Sequence, residues 1–161
     1  MPRKNNVMAG TYSQIYIQCV FAVKGRQNLL QKPWRAEVFK YMAGIVTGKN
    51  QKSIIVNGVE DHVHLFIGLR PSMSISDLMR DVKNNTSNFI NDQHYVQEKF
   101  SWQEGYGAFS YSHSQLDKVY QYILHQEEHH HQKTFKEEYI DFLKTFEIEH
   151  DEKYLFEWMD E

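Results

Sequence analysis

The sequence has a single cysteine, Cys19, among its 161 residues. No internal disulfide can form, and the fold has to rest on its core. A lone thiol fits a reducing compartment and packs as a small apolar residue. No apolar run approaches the ~20 residues that span a bilayer. The first ten residues are short and polar and lack the apolar stretch of a secretory signal, so a soluble, cytoplasmic protein with no membrane association is expected. No glycine-rich phosphate loop is present, so no nucleotide cofactor is expected. No repeat or flexible linker divides the chain, and its length suits one domain.

Hydrophobic residues make up 41% and aromatic residues 14% of the chain, enough to bury a core without covalent staples. The net charge of −3 hides an asymmetry. Residues 137–161 hold ten acidic and two basic residues, whereas residues 1–136 hold sixteen basic and eleven acidic. A mildly basic body suits a phosphate backbone.

Hydrophobic periodicity gives the element order. Residues 12–23 alternate and are rich in β-formers, which predicts a strand. Pro33 opens a helix to about Thr47. Strands are expected over 52–59, with a bend or bulge at Gly58, and over 62–69. Ser74 or Ser76 caps a helix that ends near Gln93. A loop over 94–107 precedes a short strand at 108–112. One helix is expected from Ser112 or Ser114 to about His131, and another from Phe135 to Phe146. The pattern β-α-β-β-α-β followed by helices is that of an α+β, ferredoxin-like (split βαβ, RRM-like) antiparallel sheet. Helices cover one face, and C-terminal helices follow.

Two places carry chemistry. His62 and His64 flank Val63 on a predicted strand, where residues i and i+2 share a face. Side by side, two imidazoles supply half a coordination shell, and Asp61 can orient one ring. The same spacing also describes two polar residues on an exposed sheet face. On the third helix, Leu116, Val119, Tyr120 and Ile123 form an apolar stripe. Tyr122 falls about 200° from Tyr120, on a stripe with His125, Gln126 and His129. Helical spacing leaves Tyr122 open as a functional group or as an ordinary surface tyrosine. The run His129-His130-His131 diverges by about 100° per residue, so the three cannot share one ion and read as a solvated face.

Taken together, these pieces resemble a family. Asp61-His62-Val63-His64-Leu65-Phe66-Ile67 looks like the HUH motif, two histidines around a hydrophobic residue. Trp102-Gln-Glu-Gly105-Tyr106-Gly107-Ala-Phe109-Ser110 resembles a W-x-x-G-Y-G-x-F-S stretch. Tyr122-Ile123 followed by Gln126 resembles a tyrosine helix. The family is that of the single-tyrosine HUH transposases of small insertion sequences, with the REP-associated tyrosine transposases as relatives. The likeness spans about residues 11–146, and the acidic tail, 147–161, matches nothing in it. His125 stands where family members often have Asn.

The resemblance implies that Tyr122 is the nucleophile. His62, His64 and Gln126 would hold one divalent ion, Mg²⁺ or Mn²⁺. It implies a homodimer, with the tyrosine helix working in cis or in trans, and a single-stranded DNA hairpin near element ends as partner. The reaction would cleave and rejoin single strands through a 5′-phosphotyrosine. A phenol with a pKa near 10 is a poor nucleophile, and a divalent cation would offset the charge of the attacked phosphate. Lys24, Arg26, Arg70, Arg80 and Lys83 are candidate phosphate contacts, Lys83 foremost because it lies off its helix's apolar stripe. The alternative is a non-catalytic single-stranded nucleic-acid-binding module on the same sheet topology. A third possibility, a small-molecule-binding domain, rests on fold alone.

Overall fold

The computed structural model describes residues 10–149. The acidic stretch from 147 onward falls outside these residues except for its first three. Four strands, β1 (Tyr16–Ala22), β2 (Lys52–Gly58), β3 (His62–Gly68) and β4 (Gly107–Tyr111), form one antiparallel sheet in the order β2-β3-β1-β4. Each neighbouring pair is antiparallel. Between them run α1 (Lys32–Gly48) and α2 (Ile75–Asp92), and after β4 come α3 (Leu116–Leu124), α4 (Gln126–Gln132) and α5 (Phe135–Thr145). The molecule is an α+β fold, as the element order predicts. No helix among the described residues is long and apolar enough to cross a membrane.

Strand alternation sorts the side chains between two layers. Ile17, Cys19 and Phe21 of β1 and Val63, Leu65 and Ile67 of β3 pack under α1 and α2 with Val38, Met42, Leu78, Met79 and Val82. Cys19 is fully buried there, and burial pushes its thiol up to about 12, so it stays neutral and unreactive. The opposite face carries Val20, Ala22 and Phe109 under α5, and Phe66 under α3. Both faces are therefore covered, the second by the C-terminal helices.

Ser74 caps α2 by accepting from the Asp77 N–H at 3.1 Å, the expected device. The strand expected from residue 12 begins at Tyr16. Gly58 is no bulge: the register shift lies at Ser53/Ile55. A Cβ at Gly58 would stand 2.3 Å from the His62 carbonyl oxygen, so the residue permits a close approach of two strands.

The helix expected from residue 112 to 131 is interrupted. A 3-10 turn, His113–Gln115, leads into α3, and His125, at φ −98° and ψ 31°, separates α3 from α4. Asn57 of β2 supplies the reason. Its side-chain amide donates to the carbonyls of Ile123 (2.9 Å) and Leu124 (3.2 Å), which a continuous helix would have used itself.

Candidate metal centre and tyrosine

On β3, His62 and His64 leave the α1/α2 layer to Val63 and point to the other face, where both are buried. Their ring centroids are 5.2 Å apart. Asp61 Oδ1 lies 2.7 Å from His62 Nδ1, and Gln18 Oε1, from β1, lies 2.7 Å from His64 Nδ1. The Gln18 amide nitrogen donates to the Tyr111 hydroxyl at 2.8 Å, which fixes its oxygen toward His64. With each Nδ1 engaged, both rings turn Nε2 toward one point.

At that point stands Glu138 of α5. Its Oε1 is 3.2 Å from each Nε2. Its Oε2 accepts from the Tyr122 hydroxyl and, at 3.0 Å, from the Gln126 amide nitrogen. One carboxylate thus joins the histidine pair to the tyrosine, all within a single chain. Rings close the site from above: Phe135 stacks on His62 at 4.2 Å, and His129 stacks on Tyr122 at 4.4 Å.

Burial opposes charge on both imidazoles. At His62 the hydrogen bond to Asp61 and the nearby Glu138 outweigh it and raise the pKa to about 9. At His64 burial prevails over Glu138, aided by the neighbouring His62 and His129, and the pKa falls below its ordinary value. Glu138 resists its own burial because the two imidazoles hold its carboxyl well below the usual carboxylate range. Burial, and then the charge of Glu138, push the Tyr122 phenol well above its ordinary value.

This arrangement fits a divalent cation. Both Nε2 atoms face one buried carboxylate oxygen at 3.2 Å, and a cation among the three would neutralise that buried charge. Two imidazole nitrogens and a carboxylate oxygen are ligands such an ion takes. Among the described residues, His62, His64 and Glu138 bring ligand atoms within 4.8 Å of one another. A spacing of 3.2 Å is close to that of adjacent ligands bonded at about 2.1 Å. Gln126 is buried beside them, and its Oε1 has no hydrogen-bond partner among the described residues. As oriented, its nitrogen meets Glu138, and a half-turn of the amide would offer the oxygen instead.

The sequence pattern described as "Transposase IS200 like" matches residues 11–126. The chain belongs to the IS200-like transposase family. Two solved structures share its fold. A candidate transposase from Deinococcus radiodurans R1 is 19% identical, with a TM-score of 0.61, covering 73% of this chain and 94% of its own. A REP-associated tyrosine transposase bound to a REP hairpin is 11% identical, with a TM-score of 0.57, covering 74% of this chain and 71% of its own. No curated protein matches the chain.

The family match ends at Gln126, so Glu138 lies beyond it. Sequence reasoning missed Glu138, although a signal existed: it shares the α5 stripe with Phe135, Tyr139 and Phe142, a carboxylate on an apolar face. Gln18 was missed as well, a lone amide among β-formers. Tyr122, half-buried like Tyr120, packs beside Val119 and Ile123 against Phe66, whereas Tyr120, at the other flank of the stripe, joins none of the core clusters among the described residues. The triple histidine is not uniformly solvated. His131 is exposed, His129 covers Tyr122, and His130 Nε2 lies 3.5 Å from Glu60.

Lys83 does not stand free for phosphate. Its ammonium donates to the carbonyls of Gln103 (2.7 Å) and Gly105 (2.8 Å), and burial lowers its pKa. It clamps the loop whose Trp102 packs edge-on against Phe21 and Phe100. It also belongs to α2, on the sheet face away from His62. Arg70 holds the Asn50 carbonyl at 2.6 Å. Arg26 ends the 3-10 turn Lys24–Arg26.

Proposed function

We propose that this member of the family is a DNA transposase that cleaves and rejoins single-stranded DNA through a 5′-phosphotyrosine on Tyr122. One observation carries the proposal: the Tyr122 hydroxyl and the His62–His64 pair meet at opposite oxygens of Glu138. On this reading the catalytic domain runs through α5 rather than ending at Gln126. His62, His64 and Glu138 would hold one Mg²⁺ or Mn²⁺, with Gln126 offering its orphaned oxygen. The ion would offset the charge of the attacked phosphate and polarise the phosphorus.

The chain's own groups do the rest. Asp61 and Gln18 hold the imidazoles with Nε2 inward. His129 and Phe142 fix the plane of the Tyr122 ring, so that its oxygen attacks along one direction. Glu138 Oε2 holds the phenol hydrogen. As the tyrosyl–phosphorus bond forms, that proton passes by way of Glu138 to the departing 3′-oxygen. The phosphorus–O3′ bond breaks to a 3′-OH, and Glu138 ends as the carboxylate it began as. The phosphotyrosine keeps the ester bond, so joining a new 3′-OH needs no nucleotide. The partner would be a single strand bearing a hairpin, as in the REP-associated structure, and the working unit a homodimer in the cytoplasm.

The test is a denaturing gel of the protein with single-stranded DNA from the flanks of its own gene, with and without Mg²⁺ or Mn²⁺. A covalent band that needs the ion and disappears in Tyr122→Phe is expected. A band that persists in that variant would move the nucleophile to another tyrosine.

The burial of His62 and His64 beneath α5 favours one second reading, a closed, non-catalytic module that only binds single strands. Tight strand binding with no covalent band under any ion would establish it.

A further inference from the structure

A pocket of about 250 Å³ opens beside Tyr122 on the face that carries the histidines. Gln18 and Tyr111 form its floor, Tyr122 and Val119 of α3 one wall, and Phe142 of α5 the other, with Gln115 and Lys118 at the mouth. Three of these side chains are aromatic, and none bears negative charge. The Phe142 and Tyr122 rings stand nearly perpendicular at 6.1 Å, so the space between α3 and α5 is bounded by faces and edges that suit a flat ring.

The polar groups at the floor are donors. The Gln18 oxygen is taken by His64, leaving its amide nitrogen, which spends one hydrogen on Tyr111. The Tyr111 oxygen accepts that hydrogen, so its own hydroxyl hydrogen is left to give. Burial pushes the Tyr111 phenol up to about 12, so it keeps that hydrogen at any working pH. The Gln115 oxygen is committed to the Ser112 N–H at 2.9 Å, which again leaves an amide nitrogen. A floor of donors asks for acceptors, which carbonyl oxygens offer with two lone pairs each, whereas N1 and N7 of adenine each lie beside its amino group, itself a donor. Lys118 at the mouth asks for an anion.

We propose that this pocket is a nucleobase subsite. It would receive one unstacked base of the strand next to the phosphate that Tyr122 attacks, and favour bases bearing a carbonyl oxygen over adenine. The subsite rests on the single-strand reading of the site. Stacking supplies most of the binding and tolerates any base. The Tyr111 hydroxyl and Gln18 amide supply the preference, and Lys118 pairs with the adjoining phosphate.

The test separates the pocket from the chemistry. The full chain is mixed with a single-stranded library carrying 5-iodouracil within random flanks, in EDTA so that no cleavage intervenes. It is then irradiated, and the attached peptides are mapped by mass spectrometry. Cross-links at Tyr111 or Phe142, weakened roughly fivefold or more by Lys118→Ala, are expected. DNA that binds yet cross-links only elsewhere would overturn the subsite and leave the transposase reading standing. Cross-links in the pocket without any covalent Tyr122 band in the presence of ion would uphold the subsite and defeat the chemistry. No binding at low salt would overturn both.

A second readout uses Tyr111→Phe, which keeps the ring and removes the hydroxyl. The affinity ratio between oligonucleotides with thymine and with adenine at the cross-linked position should fall about fivefold. An unchanged ratio, with cross-linking intact, would show that Tyr111 does not read the base and overturn the stated preference.

Discussion

The hydroxyl of Tyr122 donates its hydrogen to Oε2 of Glu138, sixteen residues further along the chain and on a different helix. The other oxygen of the same carboxylate faces the two imidazoles. Glu138→Gln keeps the shape and removes the charge. It should weaken Mn²⁺ binding by about 10–100-fold and slow formation of the covalent band by a similar factor, with calorimetry and single-turnover gels as the measures. Unaltered Mn²⁺ affinity would remove Glu138 from the ion's surroundings.

Gln18 and Asp61 act through the rings they hold. Asp61→Asn and Gln18→Leu should each lower ion affinity about tenfold or more. Gln18→Leu should also cost about 1–3 kcal/mol of stability, because His64 Nδ1 and the Tyr111 hydroxyl lose a buried partner. Denaturant melts and ion titrations on the same samples separate the two effects. Full ion affinity in both variants would mean that the rings need no support.

Protonation and ion binding would compete at His62. Its folded pKa, about 9, lies above the ordinary 6.5. Its proton therefore stabilises the ion-free fold fully below pH 6.5, and that contribution is lost as pH rises toward 9. In EDTA the Tm should fall across this interval. In Mg²⁺ the gain in Tm over the EDTA value should grow across the same interval, because the ion needs the nitrogen bare. Melts at pH 6, 7.5 and 9 test both signs, and a gain that shrinks with pH would contradict the assignment.

Gly58 sets the distance between β2 and the first histidine. Gly58→Ala places a methyl against the His62 carbonyl oxygen and should cost about 2–3 kcal/mol. Gly44, inside α1 with nothing within 4 Å of an added Cβ, is the control, and Gly44→Ala should add about 0.5–1 kcal/mol. Equal effects would mean that the close approach is not what Gly58 is for.

Local patterns made much of this legible. Alternation in His62–Ile67 sets which face the histidines share, and Ser74 marks the start of α2. What could not be read depends on pairing between distant segments. The break at His125 is made by Asn57, sixty-six residues away from Ile123. Tyr120 and Tyr122 are assigned correctly only once Phe66 is known to lie beneath α3. Lys83 looks free on a helical wheel and is spent on a loop twenty residues onward. Glu138 looks like one more acid in an acidic region until α5 is laid across the sheet.

Laying α5 there has a consequence in time. Phe135 lies flat on His62, and neither histidine meets solvent. An ion binding there would have no open path to these nitrogens and would have to wait for the helix to lift. Loading should therefore speed up with Mn²⁺ concentration only until it reaches the opening rate of α5, and then level off. Removal by a chelator should proceed at a rate that no excess of chelator can raise.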